Sequence, residues 1–99
     1  MIIEKKTYYL TGESQRILYV DDRANFLHNE FGPANISYYL NGAPSKVEYY
    51  KHGKLHSEIG PARTFYHSNG NIILTGYYID GELFLEEEFE NHIKTKLYW

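Results

Sequence analysis

Residues 27–54 read LHNEFGPANISYYLNGAPSKVEYYKHGK, and residues 55–82 read LHSEIGPARTFYHSNGNIILTGYYIDGE. Laid one over the other, Leu27-His28 falls on Leu55-His56 and Gly32-Pro33-Ala34 on Gly60-Pro61-Ala62. Asn41-Gly42 falls on Asn69-Gly70 and Tyr49-Tyr50 on Tyr77-Tyr78, every pair at an offset of 28 without insertion. Self-similarity at a fixed period marks a repeat architecture, in which each unit buries its surface against its neighbours. A degenerate earlier copy starts with Tyr8-Tyr9-Leu10-Thr11-Gly12, the counterpart of Tyr38-Tyr39-Leu40-Asn41-Gly42, and its downstream half, Tyr19 to His28, needs two extra residues to align. The expected organisation is one domain over 1–99, with a degenerate unit at 1–26, full units at 27–54 and 55–82, and a terminal helix at 85–96.

Within a unit, Asn-Gly and Asp-Gly are the strongest short hairpin signals, because a type I′ turn needs positive φ at both central residues. Turns are expected near Gly12, Asp21-Asp22, Gly42, Gly53, Gly70 and Gly81, separated by runs of five to eight residues rich in Tyr, Ile, Val and Phe. Each Gly-Pro-Ala opens a strand, where the missing proline N–H harms no ladder. The sequence therefore predicts a mainly β fold, an antiparallel β-hairpin repeat meander of six to eight strands with a short C-terminal capping helix. Alternation assigns Ala34, Ile36, Tyr38 and Leu40 to one sheet face and Asn35, Ser37 and Tyr39 to the other. Tyr38, Tyr49, Tyr66 and Tyr77 are expected to form a core ladder, and Tyr39, Tyr50, Phe65, His67 and Tyr78 an aromatic strip on the opposite face. A one-residue change of register would exchange the two.

Composition agrees with this reading and excludes several functions. Eleven tyrosines in 99 residues suit strands, since the ring packs on a pleated surface while the hydroxyl reaches water. A chain of this length buries roughly 60–65% of its unfolded surface, enough for one modest core. There is no cysteine, so disulfides, thiol catalysis and thiolate metal sites are out. Ten basic and thirteen acidic residues give a net charge of -3, a poor balance for duplex nucleic acid, whose counterions are displaced by spare Lys and Arg. No apolar run approaches the ~20 residues of a membrane span, and Met1-Ile2-Ile3-Glu4 is not a signal peptide. No membrane contact and a cytoplasmic location are expected.

The C-terminus departs from the strand pattern. Leu85, Phe89, Ile93 and Leu97 form an apolar stripe at helical spacing, with Glu86, Glu87 and Glu88 at the start and Lys94 and Lys96 near the end. That polarity complements the helix macrodipole.

Leu-His-x-x-x-Gly-Pro-Ala, then Asn-Gly, then Tyr-Tyr-x-x-Gly resembles the MORN-repeat-variant-like proteins of bacteriophages, large DNA viruses and some bacteria. The resemblance covers residues 27–96 and extends to the Glu-Glu-Glu-Phe start of a terminal helix at Glu86–Phe89. It implies a β-hairpin repeat and little about activity. Bacterial members include antitoxin components, and short viral members suit host interaction. Two departures stand out. Asn29 and Ser57 replace an Arg usual after Leu-His, and Leu85 replaces the usual Ser or Thr helix cap.

Candidate chemistry is sparse. His28 and His56 are repeat-equivalent, each two residues before Glu30 or Glu58. A residue copied with the repeat suits a structural role, such as donating to a turn carbonyl, better than metal binding. Ser14, Ser37, Ser45, Ser57 and Ser68 lack a nucleophile elbow, Asp21-Asp22 reads as a turn, and no Gly-rich phosphate loop occurs. No catalytic residue, metal or cofactor is expected.

The expected function is a non-catalytic protein-binding module, in its most concrete form a phage-encoded inhibitor of a host defence protein such as an anti-CRISPR. The partner-binding residues would be Tyr39, Tyr50, Phe65, His67 and Tyr78, with Glu82, Glu86, Glu87, Glu88 and Glu90 as an acidic edge entering a basic nucleic-acid groove on the host protein. Three alternatives stay open. They are a protein sequestering a nucleotide messenger through tyrosines with Arg16, Arg23 or Arg63, an antitoxin bound to a cognate toxin, and a structural homo-oligomer such as a homodimer through a sheet edge.

Overall fold

Among the described residues, ten short strands and one helix follow each other: β1 (Ile2–Tyr8), β2 (Ser14–Asp21), β3 (Phe26–Leu27), β4 (Asn35–Tyr38), β5 (Pro44–Glu48), β6 (Tyr50–Lys51), β7 (Lys54–Leu55), β8 (Arg63–Tyr66), β9 (Ile72–Ile79), β10 (Glu82–Phe84) and α1 (Glu86–Leu97). The computed structural model describes residues 1–97, and side chains up to Thr95. The protein is mainly β, with an antiparallel sheet in the order β1-β2-β4-β5-β8-β9-β10, β3 pairing β2, and β6-β7 as a separate ribbon. The strand number exceeds the expected six to eight because the short return segments after each long hairpin pair as strands of their own. No helix among the described residues is long and apolar enough to cross a membrane.

Three long hairpins share one register. Lys5 faces Leu18, Asn35 faces Glu48 and Arg63 faces Gly76, and each hairpin shifts register before its turn, at Thr7/Tyr8, Ser37/Tyr38 and Phe65/Tyr66. The joints between hairpins also match: Arg16, Ile17 and Leu18 meet Ser37, Ile36 and Asn35, as Lys46, Val47 and Glu48 meet Phe65, Thr64 and Arg63. The first unit is thus geometrically as complete as the other two.

Turn chemistry divides into two kinds. At the hairpin tips only the glycine is left-handed (Gly12, Gly42, Gly70), and its amide donates to the carbonyl three residues back, in Tyr9, Tyr39 and His67. This is a tight turn followed by a glycine bulge, so the type I′ geometry expected for Asn41-Gly42 and Asn69-Gly70 is not adopted. The bulge absorbs one residue and breaks the simple alternation over Ala34–Leu40, leaving Leu40 exposed in the turn. His52-Gly53 and Asp80-Gly81 do have positive φ at both residues, as a two-residue I′ turn requires. In the first unit the corresponding turn is longer. Asp21 accepts amides from Arg23 and Ala24, and these bonds hold its carboxyl below the usual aspartate range.

The molecule measures 50 × 36 × 17 Å, one sheet thick. Among the described residues, Val20, Ala34, Ala62, Ile79 and Phe89 are the buried apolar ones. Ala34 and Ala62 are fully enclosed, and each carries a ladder across the unit: Tyr19 donates to Ala34 and Ala34 to Glu48, as Tyr49 donates to Ala62 and Ala62 to Gly76. The expected tyrosine core ladder is corrected by this thinness. Tyr38, Tyr49, Tyr66 and Tyr77 are all only half-buried, because no second layer lies over most of either face.

Helix α1 supplies a local second layer. Phe89 packs on Tyr77 with ring centroids 4.9 Å apart, His92 stacks on Phe84 at 5.5 Å, and Ile93 is half-buried. The helix spans Glu86–Leu97 rather than 85–96, and Leu85 is 73% exposed instead of joining the apolar stripe. Leu85 is the cap residue. Its amide donates to Glu88 Oε1 at 2.9 Å and its carbonyl accepts the Phe89 amide. This is half of a capping box, lacking only the cap hydroxyl. The Leu97 side chain lies outside the described residues.

Completing the box defines a test. Leu85→Ser supplies the absent acceptor without removing a buried side chain and should stabilise the protein by about 0.5–1 kcal/mol. Thermal unfolding should show a midpoint raised by a few degrees. An unchanged or lowered midpoint contradicts the assignment of Leu85 as the cap.

Candidate functional site

On one sheet face the pairing aligns Leu18, Asn35, Glu48, Arg63 and Gly76 in a row across the sheet, with Arg16, Ser37, Lys46, Phe65 and Leu74 in the next. Glu48 is 2% exposed, and a bare carboxylate at that depth would be costly. Its oxygens are compensated by Asn35 Nδ2 at 2.6 Å, Arg63 Nε at 2.7 Å and Lys46 Nζ at 3.7 Å. Arg63 in turn lies between two rings, its guanidinium carbon 5.8 Å from the Phe65 centroid and 5.7 Å from that of Tyr78. Tyr78 folds over Gly76 so closely that a Cβ there would meet ring carbon Cε2 at 2.8 Å. Burial, and then the neighbouring Glu48 carboxylate, push the Tyr50 hydroxyl up.

This cluster accounts for three of the expected aromatic contacts. Tyr50, Phe65 and Tyr78 are gathered around Arg63. Tyr39 is not part of that patch, for its hydroxyl donates to the Tyr66 carbonyl at 2.6 Å, as Tyr9 donates to Tyr38 at 2.7 Å. His67 occupies the corresponding exposed position at the third tip. Glu82, Glu86, Glu87, Glu88 and Glu90 are exposed on β10 and the first half of α1. Glu88 is spent on the helix cap, and burial and then the neighbouring Glu86 carboxylate push the Tyr77 hydroxyl up. Arg16 on β2, Arg23 in the 21–25 turn and Arg63 on β8 are not brought to a common groove, and Arg63 is engaged by Glu48.

The histidines act in a way opposite to the expected donation. His28 Nδ1 accepts the His52 amide at 2.8 Å, and His56 Nδ1 accepts the Asp80 amide at 2.9 Å. An accepting Nδ1 places the ring proton on Nε2, which faces Glu30 in one unit and Glu58 in the next, both at 3.5 Å. Each histidine therefore ties the segment after one long hairpin to the turn after the next, and the glycine in that turn repeats the joint: Gly53 donates to Leu27 and Gly81 to Leu55.

Beside these joints runs a groove of about 480 Å³, lined by Asn29, Phe31, Tyr49, Tyr50, His56 and Ile59 among others. Phe31 and Ile59 are repeat-equivalent and stand 96% and 95% exposed on its flanks. Sequence reasoning passed over both. The available signal was a large apolar residue preceding Gly-Pro in each unit, in a loop that has no core to enter.

The buried network yields a prediction. Glu48→Ala leaves Asn35 and Arg63 without their acceptor and should destabilise the protein by about 3 kcal/mol in chemical denaturation. A loss below about 0.5 kcal/mol would show that the cluster is not a structural unit. Comparison of the chain with protein-family models, with curated proteins and with solved structures finds no match in any of the three.

Proposed function

We propose that this protein is a non-catalytic protein-binding module whose contact surface runs from Phe31 across the Tyr50 groove to Ile59. The observation that carries this reading is the near-complete exposure of two large apolar side chains at the same place in successive units. In a one-layer sheet with little core, leaving both in water forgoes burial worth about 1.5–3 kcal/mol each, which a partner would recover. Half-buried Tyr49 and Tyr50 add rigid amphipathic area between them.

The net charge of -3 and the glutamates of β10 and α1 favour a partner with a basic surface, which opposite charge would steer into contact. Taken with the resemblance to small viral and phage repeat proteins, this supports a host protein with a nucleic-acid groove as the partner, in the cytosol, and an anti-defence inhibitor as the concrete role. Tyr50, Phe65 and Tyr78 extend the contact area around Arg63.

Affinity capture from the natural host, followed by titration of the captured protein, tests the proposal. The double variant Phe31→Ser, Ile59→Ser should keep its thermal midpoint within a few degrees. Its affinity for the captured protein should fall about a hundredfold, corresponding to roughly 3 kcal/mol. Unchanged affinity, or capture of no protein by the wild-type chain, overturns it.

A further inference from the structure

The sheet ends differ in a way that the repeat makes informative. At one end, β10 pairs β9 only over Tyr77–Ile79, so the outer edge of Ile72–Gly76 has no strand partner among the described residues. Ile72, Ile73 and Leu74 are 58%, 48% and 52% exposed there, with no charged residue from Ile72 to Gly76 to discourage pairing. At the other end, β1 pairs only β2 and presents its free edge with Lys5 and Lys6 exposed.

These two edges are the halves of a joint that the chain already makes twice. Residues 16–18 meet 37–35, and residues 46–48 meet 65–63, in identical antiparallel register. By the repeat, Leu74, Thr75 and Gly76 correspond to the first member of each joint, and Thr7, Lys6 and Lys5 to the second. The tips obey the same rule. Tyr9 reaches the carbonyl of Tyr38, Tyr39 that of Tyr66, and Asn41 that of Ser68 on the next hairpin. The third tip carries His67 and Asn69 at the matching positions, with no further long hairpin among the described residues to receive them. In that register Lys5 stands opposite Gly76 and Glu4 opposite Tyr77, beside which Glu86 and Glu87 begin α1, so charges of both signs meet at that end of the joint.

We propose that a second copy of this chain adds head to tail, its β1 pairing the open edge of β9 with Thr7 opposite Leu74, Lys6 opposite Thr75 and Lys5 opposite Gly76. The contact is heterologous, continuing the sheet from one molecule to the next, and so differs from a two-fold edge dimer. It is independent of the protein-binding reading, since the Phe31–Ile59 surface lies in the Gly-Pro loops of the two full units and not on either free sheet edge.

The absence of cysteine allows a clean test. Lys6 and Thr75 are exposed and lie five strands apart within one molecule, roughly 24 Å at ~4.8 Å per strand, beyond the reach of an internal disulfide. Mild oxidation of an equimolar mixture of Lys6→Cys and Thr75→Cys chains should give mainly the mixed dimer. A chain carrying both substitutions should give a ladder of linear oligomers. Wild-type sedimentation should show mass rising with concentration, an effect reduced at least tenfold in Lys5→Glu, Lys6→Glu. Same-variant dimers in excess of the mixed one, cross-linking no faster than in a Lys51→Cys control, or a concentration-independent monomer would each overturn the proposal.

Discussion

A turn amide held by the Nδ1 of a histidine 24 residues earlier is the contact on which the arrangement of successive hairpins depends. It occurs twice, from His28 to His52 and from His56 to Asp80, and each time the donor sits at positive φ. A left-handed non-glycine residue is unfavourable by itself. The histidine compensates by giving the turn amide an acceptor that a loop in water would find only in solvent. The tip tyrosines form the second half of the clamp, carrying a hydroxyl from one hairpin to the backbone of the next. Side chains thus fasten the backbone of each hairpin to its neighbour at both ends of the strands.

Such clamps matter because the sheet has little else. Among the described residues its thickness of 17 Å leaves no large side chain fully buried, and the enclosed apolar positions are mostly small or lie under α1. Stability in this geometry resides in nearest-neighbour joints, as in other one-dimensional arrays, and the polar cluster of Asn35, Glu48 and Arg63 lies across such a joint. The same thinness keeps both faces available for contact. A flat sheet with amphipathic rings on each side can hold itself together and still present part of each described tyrosine.

Much of the fold was legible from Gly-Pro-Ala, the turn glycines and the 28-residue offset, because local backbone demands leave marks that a period reveals. Turn type at Asn41-Gly42 was not legible. The same dipeptide serves a I′ turn or a glycine bulge, and the choice depends on strand register across the hairpin. Nor was the burial of the tyrosines, since alternation identifies a shared face but not whether anything covers it. Tyr50, Phe65 and Tyr78 were placed on one face by alternation alone, whereas their convergence on Arg63 required the cross-strand alignment of Glu48. Leu85 was read as part of the apolar stripe because helical spacing does not distinguish a cap from the first turn.

Native-state amide hydrogen exchange at His52 and Asp80 probes the central claim most directly. If the histidine clamps join successive hairpins, both amides should be protected as strongly as the sheet amides of Ala34 and Ala62, although they lie in exposed turns. Exchange of either at the rate of an unstructured peptide would contradict the account.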